Sequence, residues 1–122
     1  MEDILYIVVP CYNEEAVLPE TARRLRAKLE ALMAAGKIAK DSRVLFVNDG
    51  SRDGTWAIIE KLHGECPLFS GVDLSRNRGH QNALLAGLMT AKDRCDMAIS
   101  MDADLQDDID AVDAMVEQYY GG

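Results

Sequence analysis

The sequence is short of positive charge: 13 Lys and Arg stand against 21 Asp and Glu, a formal net charge of -8. Such a chain is not built to grip the phosphates of nucleic acid, and the charged partner it favours is a cation. Cysteine is scarce as well. Cys11, Cys66 and Cys95 lie far apart with no CxxC pair, which speaks against a zinc knuckle or a disulfide framework and suits a reducing, cytoplasmic setting. No apolar run is long enough to span a bilayer, and "MEDILYIVVPCYNEE" lacks the basic start of a signal peptide. Repeats, low-complexity tracts and linkers are missing too, so the 122 residues read as one domain. What is present, 48% hydrophobic and 28% charged residues, is the balance of a chain that folds around a core.

Four runs read as strands: "ILYIVV" (4–9), "RVLFVN" (43–48), "LFSGVDL" (68–74) and "DMAISM" (96–101). The first, second and fourth are nearly continuous apolar runs, which predicts parallel strands covered on both faces. The third is weakened by Ser70 and Gly71. Between the strands, apolar residues recur at helical spacing. Leu18, Ala22, Leu25, Leu29 and Leu32 share one face of a helix that Pro19 opens and Gly36 stops. Ile58, Ile59 and Leu62 repeat the pattern before Gly64, Leu84, Leu85 and Leu88 after "RNRGHQN", and Ile109, Val112, Val116 and Tyr119 at the end. The order βαβαβαβα predicts an α/β fold, a Rossmann-like parallel sheet with flanking helices and right-handed crossovers.

Each strand runs straight into a polar, turn-forming cluster: "PCYNEE", "NDGSRDG", "SRNRGHQN" and "DADLQDD". A parallel sheet gathers all four at one edge, where open α/β sheets bind ligands. With strands in the order 3-2-1-4, the switch point falls between the first and the fourth, and "PCYNEE" faces "DADLQDD" across it.

Pro10 has no donor and is expected to end the ladder. Beyond it, Tyr12, Asn13, Glu14 and Glu15 form either a plain loop or a set of hydrogen-bonding groups for a base or ribose. Asp49 belongs either to an Asp-Gly-Ser turn, with Ser51 or Asp53 capping the next helix, or to the same nucleoside site. Gly79 allows a close backbone approach, a helix N-terminus follows it, and Arg76 and Arg78 add charge suited to phosphate; an ordinary strand-to-helix turn is the alternative. His80 has no paired acid in the sequence and reads as a helix-start residue, and Cys11 as a small buried one. Asp107 and Asp108 suit the N-terminus of the last helix. Asp102 and Asp104 lie earlier, at the strand end, where adjacent carboxylates suit a hard divalent cation, Mg²⁺ or Mn²⁺.

In this order and spacing, "VVPCYNEE", "VNDGSRDGT", "LSRNRGHQNALLAGL" and "MDADLQDD" resemble glycosyltransferase family 2, inverting enzymes with a GT-A nucleotide-sugar-binding fold. The last two motifs are most similar to the branch of dolichyl-phosphate mannose synthases and bacterial polyprenyl-phosphate glycosyltransferases. The resemblance implies that Pro10, Tyr12, Glu14 and Asp49 surround the nucleoside. It sets the turn of Arg78, Gly79 and Gln81 near the diphosphate and sugar, and makes Asp102 and Asp104 an Asp-x-Asp metal site with Gln106 close to the ion. It implies a UDP- or GDP-sugar donor and a polyprenyl-phosphate or glycan acceptor, with the intact protein at the cytoplasmic face of the membrane. Family members continue beyond the Asp-x-Asp helix, so residues 1–122 are expected to be the donor-binding portion, truncated before the acceptor-binding part; no catalytic base is identifiable. A dinucleotide-dependent oxidoreductase is disfavoured because no GxGxxG follows "ILYIVV". A nucleotidyltransferase needs a Gly-rich basic phosphate loop, and "PCYNEE" is the reverse. The remaining alternative is a non-catalytic nucleotide-binding or interaction module that self-associates as a homo-oligomer.

Overall fold

The computed structural model describes residues 3–104, 109 and 111–121. Strands β1 (Leu5–Cys11), β2 (Arg43–Asp49), β3 (Phe69–Leu74) and β4 (Met97–Ser100) alternate with helices α1 (Leu18–Ala34), α2 (Thr55–Glu65), α3 (His80–Ala91) and α4 (Ala111–Gly121). The strands form one parallel sheet in the order β3-β2-β1-β4, so the fold is the expected Rossmann-like α/β arrangement.

Crossover handedness decides which helix covers which face. The steps β1 to β2 and β2 to β3 run in one direction across the sheet, so right-handed connections put α1 and α2 on one face; the step from β3 back past β1 to β4 puts α3 on the other. Accordingly Leu5, Ile7, Val9 and Phe46 pack with Leu18, Leu25 and Leu29 of α1, Ile59 of α2 and Val112 and Val116 of α4. Tyr6, Val8, Leu45 and Val47 pack with Ala83 and Ala91 of α3.

Several local expectations need correcting. β1 does not stop at Pro10, because Pro10 and Cys11 still pair with Val47 and Asn48 of β2. The carbonyl of Val8 accepts from Met101 on the β4 side, and alternate residues of a strand point the same way, so the missing N–H of Pro10 also falls on that side. Pro10 therefore ends the β1–β4 ladder, which closes at Val8 and Ser100, and leaves the β2 ladder intact. β4 is covered on one face only: Met97 and Ile99 meet the α1 side, while Ala98 and Ser100 are exposed. α3 lies mainly over β1 and β2 and meets β4 only slightly, which leaves that face of β4 open.

α2 runs through Gly64 and stops at Cys66, which takes an extended conformation. The stop signal is Pro67, which forces the residue before it out of the helical region. On α3 the buried face is small, Ala83, Gly87 and Ala91, with Leu84 and Leu88 partly buried beside it. Leu85 faces out and is 56% exposed, and Tyr119 of α4 is likewise 45% exposed. The N-terminal caps expected at Asp107 and Asp108 lie outside the described residues. α1 ends as expected at Gly36, which has φ 72°; Lys37 N–H bonds Leu32 O and Gly36 N–H bonds Met33 O, the Schellman arrangement.

Small residues on α3 let it lie close to the sheet. A Cβ on Gly87 would stand 2.4 Å from Val8 Cγ1 and 2.8 Å from Val47 Cγ2. In Gly87→Ala, helix propensity gains about 1 kcal/mol, while overpacking a buried contact costs about 1–3 kcal/mol. The clash is against two β-branched core side chains, so we expect a net loss of about 1 kcal/mol in urea unfolding; a stabilised variant would show that α3 can lift without loss.

Candidate active site

The loops at the C-terminal edge of the sheet are tied together by their own polar residues. Between the β1–α1 and β2–α2 loops, Asn13 N–H donates to Ser51 Oγ (2.9 Å) and Arg52 N–H to Asn13 Oδ1 (2.8 Å). Glu14 N–H donates to Thr55 Oγ1 (2.9 Å) and Gly54 N–H to Glu15 Oε2 (3.0 Å). Asn13 holds φ 54°, a left-handed conformation that Asn tolerates better than most residues. The N-cap of α2 is Gly54, not Asp53 or Ser51 as expected; Asp53 Oδ1 accepts from Thr55 N–H at 2.9 Å just before the helix, and Ser51 is engaged with Asn13. Burial works to raise the Asp53 carboxyl, but bonds from the Thr55 hydroxyl and from the Thr55 and Glu15 amides outweigh it and hold it below its usual range.

A second tie joins β2 to the turn before α3. Asp49 is 3% exposed, and its Oδ1 accepts from Arg78 N–H at 2.6 Å. Gly79, at φ 91°, is the N-cap of α3, and its N–H bonds Asn77 Oδ1.

These ties frame a cavity of about 240 Å³ at the β1–β4 switch point. Pro10, Tyr12, Glu14 and Asp49 line it from one side and Asp102 and Asp104 from the other, with Cys11, Ala103 and His80 completing the wall. Six of the residues expected in the site are thus brought together. Asn13 is turned into the interloop ties described above. Arg78 borders a neighbouring groove with Asp73, Leu74 and Asn82; Gly79 lies at the α3 N-terminus and Gln81 on its exposed first turn. Gln106 lies outside the described residues.

His80, read from sequence as a helix-start residue, does occupy that position and also faces the cavity, with Nε2 3.9 Å from Asp102 Oδ1. Twenty-odd residues separate the two in sequence, so no local pattern announced the pair. Cys11 is buried as expected, and burial first, then the negative charge of Glu14, pushes its thiol up to about 12. A buried thiol raised in this way is poorly suited to act as a nucleophile.

The cavity is strongly negative. Burial, then the charges of Asp104, Asp53 and Asp102, raise the Glu14 carboxyl above its usual 4.5. A carboxylate raised in the fold destabilises it once ionised, and that penalty disappears as pH falls through the raised folded value toward 4.5. Because only the Glu14 backbone makes the Thr55 bond, Glu14→Gln should melt above the parent at neutral pH in EDTA. The gap should close on acidification; a variant no more stable at neutral pH would contradict the repulsion.

Asp102 and Asp104 are exposed on either side of buried Ala103. They offer oxygen donors alone, and no group of three or more acidic, His or Cys ligands occurs among the described residues. That donor set does not make an all-protein cage. It does fit Mg²⁺ or Mn²⁺, which are held by one or two carboxylates and share their other positions between substrate phosphates and water.

The arrangement has relatives. A Bacillus subtilis protein named uncharacterized glycosyltransferase YkoT is 47% identical over 121 residues, covering 99% of this chain and 36% of that protein. An undecaprenyl-phosphate 4-deoxy-4-formamido-L-arabinose transferase of Shewanella sediminis is 41% identical over 105 residues, 85% of this chain and 29% of its own. The chain thus spans about a third of the length of these relatives. Among solved structures, the mannosyltransferase PcManGT of Pyrobaculum calidifontis, in complex with GDP-Man and Mn²⁺, matches 85% of the chain and 28% of its own with a TM-score of 0.64 at 23% identity, which is a likeness of fold. The family model "Glycosyl transferase family 2" matches residues 6–121, nearly the whole chain and every motif that lines the cavity: the protein belongs to glycosyl transferase family 2.

Proposed function

We propose that these residues are the donor-binding portion of a GT-A glycosyltransferase that takes a UDP- or GDP-linked sugar in the switch-point cavity. The observation that carries this reading is the convergence of Tyr12, Glu14 and Asp49 with Asp102 and Asp104 around one cavity. The exposed ring of Tyr12 and the carboxylates of Glu14 and Asp49 suit the base and ribose. The first turn of α3, with N–H groups free of intrahelical acceptors and His80 beside it, suits the diphosphate. Asp102 and Asp104 would hold Mg²⁺ or Mn²⁺. When bound, such an ion offsets the negative charge that develops on the departing nucleoside diphosphate.

The acceptor we propose for the intact protein is a polyprenyl phosphate, in line with what the Shewanella relative is named for. An anionic phosphate oxygen is already a nucleophile, whereas a sugar hydroxyl would require a general base. Among the described residues no helix is long and apolar enough to cross a membrane; the intact protein is proposed to act at the cytoplasmic face. The 122 residues by themselves would bind donor without efficient transfer.

The test is calorimetric titration of the chain with UDP-glucose, UDP-N-acetylglucosamine and GDP-mannose, with Mn²⁺ or Mg²⁺ and again in EDTA. Metal-dependent binding of one nucleotide class is expected. A folded chain that binds none of them would return the non-catalytic, self-associating module to first place, and robust transfer by this chain alone would overturn its assignment as a donor-binding portion.

A further inference from the structure

The two carboxylates of the Asp102-Ala103-Asp104 turn are exposed, but the residue between them is anchored. Ala103 is 3% exposed and packs in the core on the α1 side. Its carbonyl accepts the hydroxyl of Thr21, in the first turn of α1, across 82 positions of sequence. A threonine in a helix ordinarily bonds the carbonyl four residues back; Thr90 does this, with Oγ1 2.9 Å from Ala86 O. Thr21 is different. Its N–H goes to Val17 O at 3.0 Å, and its hydroxyl, 3% exposed with the rest of the residue, reaches over to the loop after β4.

We propose that Thr21 is a positioning residue for the cation: its hydroxyl fixes the peptide between Ala103 and Asp104 and with it the direction in which the two carboxylates face. The bonded carbonyl belongs to that peptide. Holding it sets ψ of Ala103 and the orientation of the peptide plane at Asp104, so the carboxylates of residues 102 and 104 stay on one side of the backbone. This inference rests on the metal reading above.

Thr21→Val keeps the shape and removes the donor; Thr21→Ser keeps the donor and removes a methyl group. Binding of Mn²⁺ to the chain is read by electron paramagnetic resonance of the free ion, in the presence of UDP or GDP, with melting in EDTA as the control for folding. Thr21→Val should bind Mn²⁺ about tenfold more weakly, the scale of lost ligand-orienting partners, while Thr21→Ser stays within about twofold of the parent. Parental Mn²⁺ affinity in Thr21→Val overturns the proposal. So does a Thr21→Ser as weak as Thr21→Val, because packing and not the hydroxyl would then be responsible. Should Thr21→Val not fold, Thr21→Ala is compared with Thr21→Ser by the same criteria. A parent chain that binds no Mn²⁺ overturns the metal reading itself, an outcome distinct from a failure of Thr21.

Discussion

Replacing Asp102 and Asp104 together by Asn should lower metal-dependent affinity for a nucleotide sugar by about 100-fold or more, exceeding the loss from removing a single orienting partner. Both oxygen ligands that the chain is proposed to offer lose their charge, and a hard divalent cation has little affinity for two amides in competition with water. Folding should not suffer. The contact of Asp102 with His80, at 3.9 Å, is exposed on both sides and is the kind that adds little stability. Neutralising the two carboxylates also removes repulsion felt by Glu14. The double variant should therefore melt at or above the parent in EDTA while titrating as a non-binder in Mn²⁺. If donor binding survives with undiminished metal dependence, the ion sits elsewhere.

Gly50→Ala should be the most damaging single substitution at the site edge. Gly50 holds φ 67°, and a Cβ there would lie 2.3 Å from Asn77 N and 2.4 Å from Arg76 C. These are backbone atoms, so no change of rotamer relieves the clash. The β2–α2 and β3–α3 turns must separate, and the bond from Arg78 N–H to the buried Asp49 carboxylate is then lost. Left-handed backbone costs an L-residue about 1–2 kcal/mol, and a hydrogen bond to a charged group contributes about 1.5–3 kcal/mol. A loss of about 3 kcal/mol or more in chemical denaturation is expected, a large share of the stability of a domain this size. Donor affinity should fall with it, since Asp49 and the α3 N-terminus move apart. A loss below about 1 kcal/mol would mean that the two turns do not meet as described.

The same contact illustrates what sequence could not announce. "NDGSRDG" reads correctly as a turn leading into a helix, but the reason residue 50 is glycine is the backbone of residues 76 and 77, which no local pattern contains. Likewise Asn13 looked like a ligand group because polar side chains at a strand end are suited to one; its partner is the Arg52 amide, 39 residues away. Helical spacing sets Leu85 with Leu84 and Leu88 because spacing counts large apolar residues, whereas the face that meets the sheet is chosen by closeness and is made of Ala83, Gly87 and Ala91.

The alternation of strands and helices, and with it the parallel sheet, the edge where polar clusters gather and the family, is legible in the amino-acid order. These follow from periodicity, chain connectivity and crossover handedness, which act over short stretches of chain. Which polar residues face the cavity and which tie the loops, the meeting of His80 with Asp102, and the bond from Thr21 of the first helix to the carbonyl of Ala103 emerge only from the folded chain. A hydrogen bond or close contact depends on distance in space, and packing sets that distance between residues the sequence keeps far apart.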